Sequence, residues 1–113
     1  MSSDSAHSRY RHIVLFRLHV GVSAEVRAEA IARLRASEIV DQMTSAHVAV
    51  SADRRKGEML VLDSTFDDEA AFRAYQEGAA HADLGRFMSE ISDWWIGDYE
   101  TSTSLADRDW SAA

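Results

Sequence analysis

The sequence predicts an α+β fold of the form β-α-β-β-α-β, in which two helices cover one face of a four-stranded antiparallel sheet. Two short apolar runs, Ile13–Phe16 and Met59–Leu62, have the length and flanking polar residues of buried strands. Helix-forming stretches that begin with good capping residues follow each run. The chain has 113 residues, enough for one domain with a core.

The elements follow in order along the chain. Residues 11–19 form the first predicted strand, and Ser23 caps a helix that runs to about Ser37. Weak alternation predicts a second strand, and a charged hairpin turn leads from it into the third. The predicted ranges of these are residues 46–52, 53–57 and 58–66.

The second half of the predicted domain is mostly helical. Asp67 is the predicted N-cap of the second helix, and Gly78 is expected to end it in the left-handed conformation. A short third helix is expected over about residues 81–93, and a last strand over residues 94–100. This order matches the ferredoxin-like plan.

The apolar residues of the first and third strands fall on both faces of the predicted sheet. In the first strand, His12, Val14 and Phe16 share one face, and Ile13 and Leu15 share the other. Two helices cover only one face, so the second apolar face needs another cover. A second copy of the chain is the simplest one, and we therefore expect a homodimer.

Composition and charge exclude several function classes. The net charge is −7, which argues against a nucleic-acid partner and against binding to an anionic membrane surface. The chain has no cysteine, and its histidines lack metal-ligand spacing, so we expect no metal and no cofactor. Residues 1–9 and 101–113 are predicted tails around a domain at 10–100, and the expected location is cytoplasmic.

Four segments, in order and at the right spacing, resemble stress-responsive dimeric α/β-barrel domains. They are His12–Leu18 with Gly21–Ser23, Ser64–Tyr75, Gly78–His81 and Asp98–Glu100. The family's usual His-Pro-x-His loop is changed here, because Gly78 and Ala79 replace its first two residues. The resemblance implies a dimeric α+β barrel and extends to the olivetolic acid cyclase type, which acts on poly-β-keto chains without metal or cofactor.

By this resemblance, Tyr75, His81 and His12 are the candidate catalytic residues. His81 would lie at the start of a helix, where the dipole favours the neutral imidazole that a general base needs. The break at Gly78 would allow Tyr75 to approach His81 and donate a hydrogen bond to an enolate oxygen. The alternative is a buried histidine bonded to a backbone carbonyl beside a core tyrosine. His12 would orient the substrate, or else lie at the dimer seam.

Apolar residues are expected to form the walls of a small-molecule pocket, although they could equally be plain core or interface. The candidates are Val14, Phe16, Ala30, Leu34, Leu60 and Leu62. Trp94 and Trp95 are adjacent on a strand, so one should enter the core and the other the barrel or the dimer contact.

Three functions remain open from the sequence. The first is a cofactor-free cyclase-like or lyase-like enzyme that acts on a β-dicarbonyl or polyketide-type substrate. The second is a non-catalytic, stress-responsive or ligand-binding dimer, and the third is a cofactor-independent monooxygenase. A pocket that brings His12, Tyr75 and His81 together would favour the first.

Overall fold

The computed structural model describes residues 8–37 and 43–102, and it confirms the predicted ferredoxin-like fold. Its elements are listed in chain order as β1 Tyr10–Leu18, α1 Ala24–Ala36, β2 Met43–Val50, β3 Met59–Phe66, α2 Glu69–Gln76, α3 Ala79–Ile91 and β4 Ser92–Glu100. The four strands form one antiparallel sheet in the order β2-β3-β1-β4. The predicted tails lie almost entirely outside the described residues. Where the chain is described, Arg9 and Thr101 are hydrogen bonded to each other beside the sheet.

The hydrophobic core lies between the helices and one face of the sheet. Alternate residues of β1 are buried on this face, beginning with His12 and ending with Leu18. The pairing of β1 with β3 sets Val14 against Leu62 and Phe16 against Leu60. Helices α1 and α3 complete the core with Ala30, Leu34 and Met88. The side chains of β1 therefore alternate between the covered face and the other face of the sheet, as the two-residue period of a strand predicts.

The other face of the sheet, here called the open face, has no helix over it in the described structure. Leu15, Val61 and Trp95 lie side by side on it, in register across three strands. Leu15 is 36% exposed and Trp95 is 50% exposed. Ion pairs flank these apolar residues, with Arg11 bound to Asp63 at 2.6 Å. The open face thus has an apolar centre and a charged edge.

The helical boundaries differ from the predicted ones in three places. Asp68, rather than Asp67, caps α2, and its side chain accepts a hydrogen bond from the amide of Ala71 at 2.8 Å. Gly78 has φ of −75° and is extended, so it caps the start of α3 and does not end α2 in the left-handed region. Helix α3 spans Ala79–Ile91, so it begins and ends two residues before the expected range of 81–93.

Candidate active site

A pocket of about 120 Å³, here called the inner pocket, lies between the sheet and the helices α2 and α3. Its walls come from β1, β3, β4 and the two helices, and the residues are His12, Val14, Phe16, Leu62, Tyr75, Gln76, His81, Leu84, Gly85, Met88, Trp94 and Ile96. All three candidate catalytic residues are among them. Most of the rest are apolar, so the few polar groups would act in a poorly hydrated environment.

His12 is buried on the helical side of β1 and is held by a carboxylate. It is 4% exposed, and its Nδ1 lies 2.7 Å from Oδ1 of Asp98. The two residues are direct partners in the pairing of β1 with β4. Because a carboxylate only accepts hydrogen bonds, Nδ1 of His12 carries the hydrogen of this contact, and Nε2 is the ring nitrogen left for a ligand.

The second oxygen of Asp98 is also bound. The hydroxyl of Tyr10 donates to Oδ2 of Asp98 at 2.9 Å. Burial, followed by the hydrogen bond to Asp98, raises the pKa of Tyr10 to about 12. The Tyr10 ring stacks on Phe72, with the centroids 4.9 Å apart, and the His12 ring lies 4.6 Å from the same phenyl ring. These contacts fix the orientation of the His12 imidazole from two sides.

Tyr75 and His81 meet because the chain breaks between α2 and α3. Their rings are in edge-to-face contact, with the centroids 5.0 Å apart. On one continuous helix, residues six apart would point in different directions, so the extended Gly78 is what brings them together. No hydrogen bond joins the two side chains within the described ranges. Burial raises the pKa of Tyr75, and a hydrogen bond with Ser37 partly offsets this.

His81 is biased toward its neutral form. Burial in the pocket wall lowers the pKa of His81 below its usual value, and the electrostatic influence of His12 lowers it further. His81 also lies in the first turn of α3, where the helix dipole opposes a positive charge. A neutral imidazole of this kind can accept a proton near pH 7.

The structure separates the predicted wall residues into two groups. Val14, Phe16 and Leu62 line the inner pocket. Ala30, Leu34 and Leu60 do not line it, because each is fully buried in the packed core between α1 and the sheet. In the sequence the two groups look alike, since both are apolar positions on the covered faces of the same elements.

Two residues of β4 belong to the site without having been predicted there. Asp98 binds His12, and Ile96 lines the inner pocket. Both follow from the register of β4 against β1, which the sequence does not fix. Trp94 and Trp95 do face opposite sides of the sheet, but neither enters the core. Trp94 is 42% exposed at the edge of the inner pocket.

Two further observations concern metal ions and membranes. Within the described ranges, no cluster of three or more His, Asp or Glu side chains is placed to bind a metal ion. None of the helices there has both the length and the apolar character that crossing a bilayer requires.

Together, the fold and the site define a ferredoxin-like α+β domain with a mainly apolar pocket between its helices and its sheet. The chain belongs to the stress responsive A/B barrel domain family, whose model matches residues 10–101. No curated protein matches the sequence significantly.

Solved structures from several organisms share the fold. A dimeric ferredoxin-like protein of unknown function from Thermobifida fusca YX has a TM-score of 0.72 and 19% identity, with 81% of this chain and 90% of that chain covered. The hydroxynitrile lyase from Passiflora edulis also has a TM-score of 0.72 and 19% identity, with coverages of 86% and 96%. The protein At3g17210 from Arabidopsis thaliana has a TM-score of 0.69 and 24% identity, with coverages of 85% and 99%.

Proposed function

We propose that this chain is a cofactor-free acid–base enzyme, cyclase-like or lyase-like, that acts on a β-dicarbonyl or polyketide-type small molecule. The observation that supports this function is the convergence of His12, Tyr75 and His81 on one mainly apolar pocket. The resemblance to the olivetolic acid cyclase type points to the same residues. The name of the Passiflora edulis relative adds that lyase chemistry occurs on this fold.

In the proposed reaction, His81 is the general base. It removes a proton from the carbon between two carbonyl groups, and the electron pair moves onto a carbonyl oxygen to form an enolate. Tyr75 keeps its proton because its pKa is raised, so its hydroxyl can donate a hydrogen bond to that oxygen. The enolate carbon then attacks a second carbonyl carbon of the same molecule, whose π electrons move onto its own oxygen, and His81 returns the proton to that oxygen. A lyase would run the same steps in reverse.

His12 has a different role in this proposal. With Nδ1 donating to Asp98, its Nε2 can accept a hydrogen bond from a hydroxyl or enol of the substrate. Val14, Phe16 and Leu62 then exclude water from the enolate. Ala30, Leu34 and Leu60 support these walls from the core and have no proposed contact with the substrate.

The test is a screen of β-diketones and β-keto esters for binding by calorimetry and for turnover by loss of enol absorbance. Binding with turnover would support the enzyme. Binding without turnover would instead make the chain a ligand-binding dimer. If no compound binds, both ideas fail, and the inner pocket is only a packing gap.

The pH dependence of turnover is a further expected outcome. The imidazole of His81 is neutral and can act as a base above its pKa, and it becomes protonated and inactive as the pH falls through that pKa. Because the pKa of His81 lies below its ordinary 6.5, kcat/KM should stay level from pH 8 down to about 6.5 and fall only in more acidic buffer. A fall in kcat/KM that is centred above pH 7 would contradict the proposal that a buried His81 is the base.

Replacing Asp98 tests the support of His12. Asp98→Asn should lower kcat by about tenfold or more, because an amide can donate to Nδ1 and so allow the wrong imidazole tautomer. The imidazole ¹⁵N chemical shifts should report this change of tautomer directly. Tyr10→Phe is the matched control, since it removes the other hydrogen bond of Asp98 and leaves the contact with His12. An unchanged tautomer in Asp98→Asn would show that Asp98 does not position the ring.

We also infer that two copies pair through the open face. The relative from Thermobifida fusca is described as dimeric, and the apolar centre of the open face here is unprotected in the single chain. A stable interface buries about 800 Å² per partner. At roughly 25 cal/mol per Å² of apolar area, this gives a gross gain large enough to offset the cost of association.

A further inference from the structure

A second and larger depression, here called the outer groove, adjoins the inner pocket. It has a volume of about 470 Å³ and opens between α1, α2 and the start of α3. Its lining residues are Arg33, Ala36, Ser37, Ala74, Tyr75, Gly78, Ala80, His81, Asp83 and Leu84. Tyr75, His81 and Leu84 belong to both spaces. A molecule that reacts at Tyr75 and His81 is therefore at the boundary of the two.

The size of the inner pocket requires a second space for any extended substrate. A cavity of about 150 Å³ holds one benzene molecule. The inner pocket, at about 120 Å³, is smaller than that and can hold only a short part of a longer chain. The outer groove exists because the helices carry small residues there, namely Ala36, Ala74, Gly78 and Ala80.

Arg33 is the basic side chain of the outer groove, and two neighbours hold it in place. Its Nε and Nη2 donate to Oε2 of Glu29 at 2.9 and 2.6 Å. Its guanidinium lies over the ring of Phe87, 4.2 Å from the centroid. These contacts leave Nη1 without a hydrogen-bond partner among the described residues. Since a guanidinium stacked on a ring keeps its N–H donors at the edge, Arg33 is suited to bind a planar anion.

The remaining polar groups of the outer groove are already bound or neutral, which leaves Arg33 as the group available to an anion. The hydroxyl of Ser37, one turn after Arg33, donates to the carbonyl oxygen of Leu34 at 2.6 Å. Asp83 is already paired with Arg86. His81 is biased toward neutrality and does not compete for the anion.

We propose that the outer groove binds the carboxylate end of an acidic dicarbonyl substrate, with Arg33 as the residue that recognises the acid. This inference rests on the proposed function, because it places the reacting dicarbonyl at Tyr75 and His81. The substrate class narrows accordingly to β-dicarbonyl acids that have a short apolar end for the inner pocket.

The test compares a stable acidic β-diketone, 4,6-dioxodecanoic acid, with its methyl ester by calorimetry at low ionic strength. The acid should bind about tenfold more tightly than the ester to the wild-type protein, as expected for a charge-assisted hydrogen bond. Arg33→Met keeps an apolar stem over Phe87 but removes the charge. It should therefore weaken binding of the acid, leave binding of the ester unchanged and so abolish the preference for the acid. Arg33→Lys should restore part of it.

Arg35→Met is the matched control, because Arg35 lies on the same helix but outside the outer groove. It should leave the preference for the acid unchanged. Equal binding of acid and ester by the wild-type protein would overturn the Arg33 site while leaving the proposed function intact. An equal loss of preference in both methionine variants would also overturn it, since only bulk charge would then matter. If neither compound binds, the proposed function fails together with the acid site.

Discussion

His81→Gln is expected to lower kcat for a β-dicarbonyl substrate by about 10²- to 10⁴-fold, the range typical of a lost general base. Glutamine can keep much of the ring's volume and its polar contacts in the pocket wall, but it cannot accept the proton. Binding of the substrate should change far less than turnover, because the apolar walls remain. Calorimetry and initial-rate measurements on the same preparation separate the two effects.

His19→Gln is the control for His81→Gln. His19 directly follows β1, is exposed, contacts Asp93 at 3.2 Å and does not line the inner pocket. It should retain wild-type turnover. If His81→Gln also retains turnover, another group must remove the proton, and the proposed role of His81 is wrong. A loss of binding with kcat unchanged would reduce His81 to a wall residue.

Leu15→Glu is expected to raise the dimer dissociation constant by more than about 100-fold. The change places a carboxylate at the apolar centre of the open face, next to Trp95, and burying an unpaired charge costs several kcal/mol. The single chain should stay folded, since Leu15 is not part of the core between sheet and helices. Sedimentation velocity over a range of concentrations would measure the shift.

Val20→Glu provides the matched control, because Val20 is a fully exposed apolar residue in the turn after β1. It introduces the same charge away from the open face and should leave the dimer intact. A Leu15→Glu variant that dimerises as tightly as the wild type would show that pairing uses another surface. A wild-type protein that stays monomeric at micromolar concentration would contradict the homodimer altogether.

The strands and the covered face of the sheet could be predicted because they depend on local alternation. The unbroken apolar run around Val14 identified β1, and the period of two assigned His12 and Phe16 to one side. The same reasoning found that the opposite side, with Leu15, was too apolar for solvent. Both results need only neighbouring residues in the chain.

Other features depend on pairing between segments that are distant in the chain, and these features could not be predicted from the sequence. The contact of His12 with Asp98 requires the register of β1 against β4, which separates the two residues by 86 positions. The division of the apolar residues into pocket wall and core likewise depends on where the helices lie. Leu60 and Leu62 differ by one strand period, yet only Leu62 lines the inner pocket.

The prediction for Gly78 failed for a different reason. Glycine permits the left-handed conformation but does not require it, and here the backbone is extended instead. The break between α2 and α3 that brings Tyr75 and His81 together was nevertheless expected at the right place. The sequence identified the position of the break but not its geometry.

The catalytic candidates rest on two parts of the molecule with different mechanical character. His12 lies on β1, which is hydrogen bonded to a strand on each side along its length, whereas Tyr75 and His81 flank a two-residue joint between helices. Opening events in proteins start where backbone pairing is sparse. A tilt of α3 about this joint would therefore widen the inner pocket without breaking any strand pairing. We therefore expect a movement that opens the inner pocket to occur at this joint, while His12 and Asp98 stay paired on the sheet.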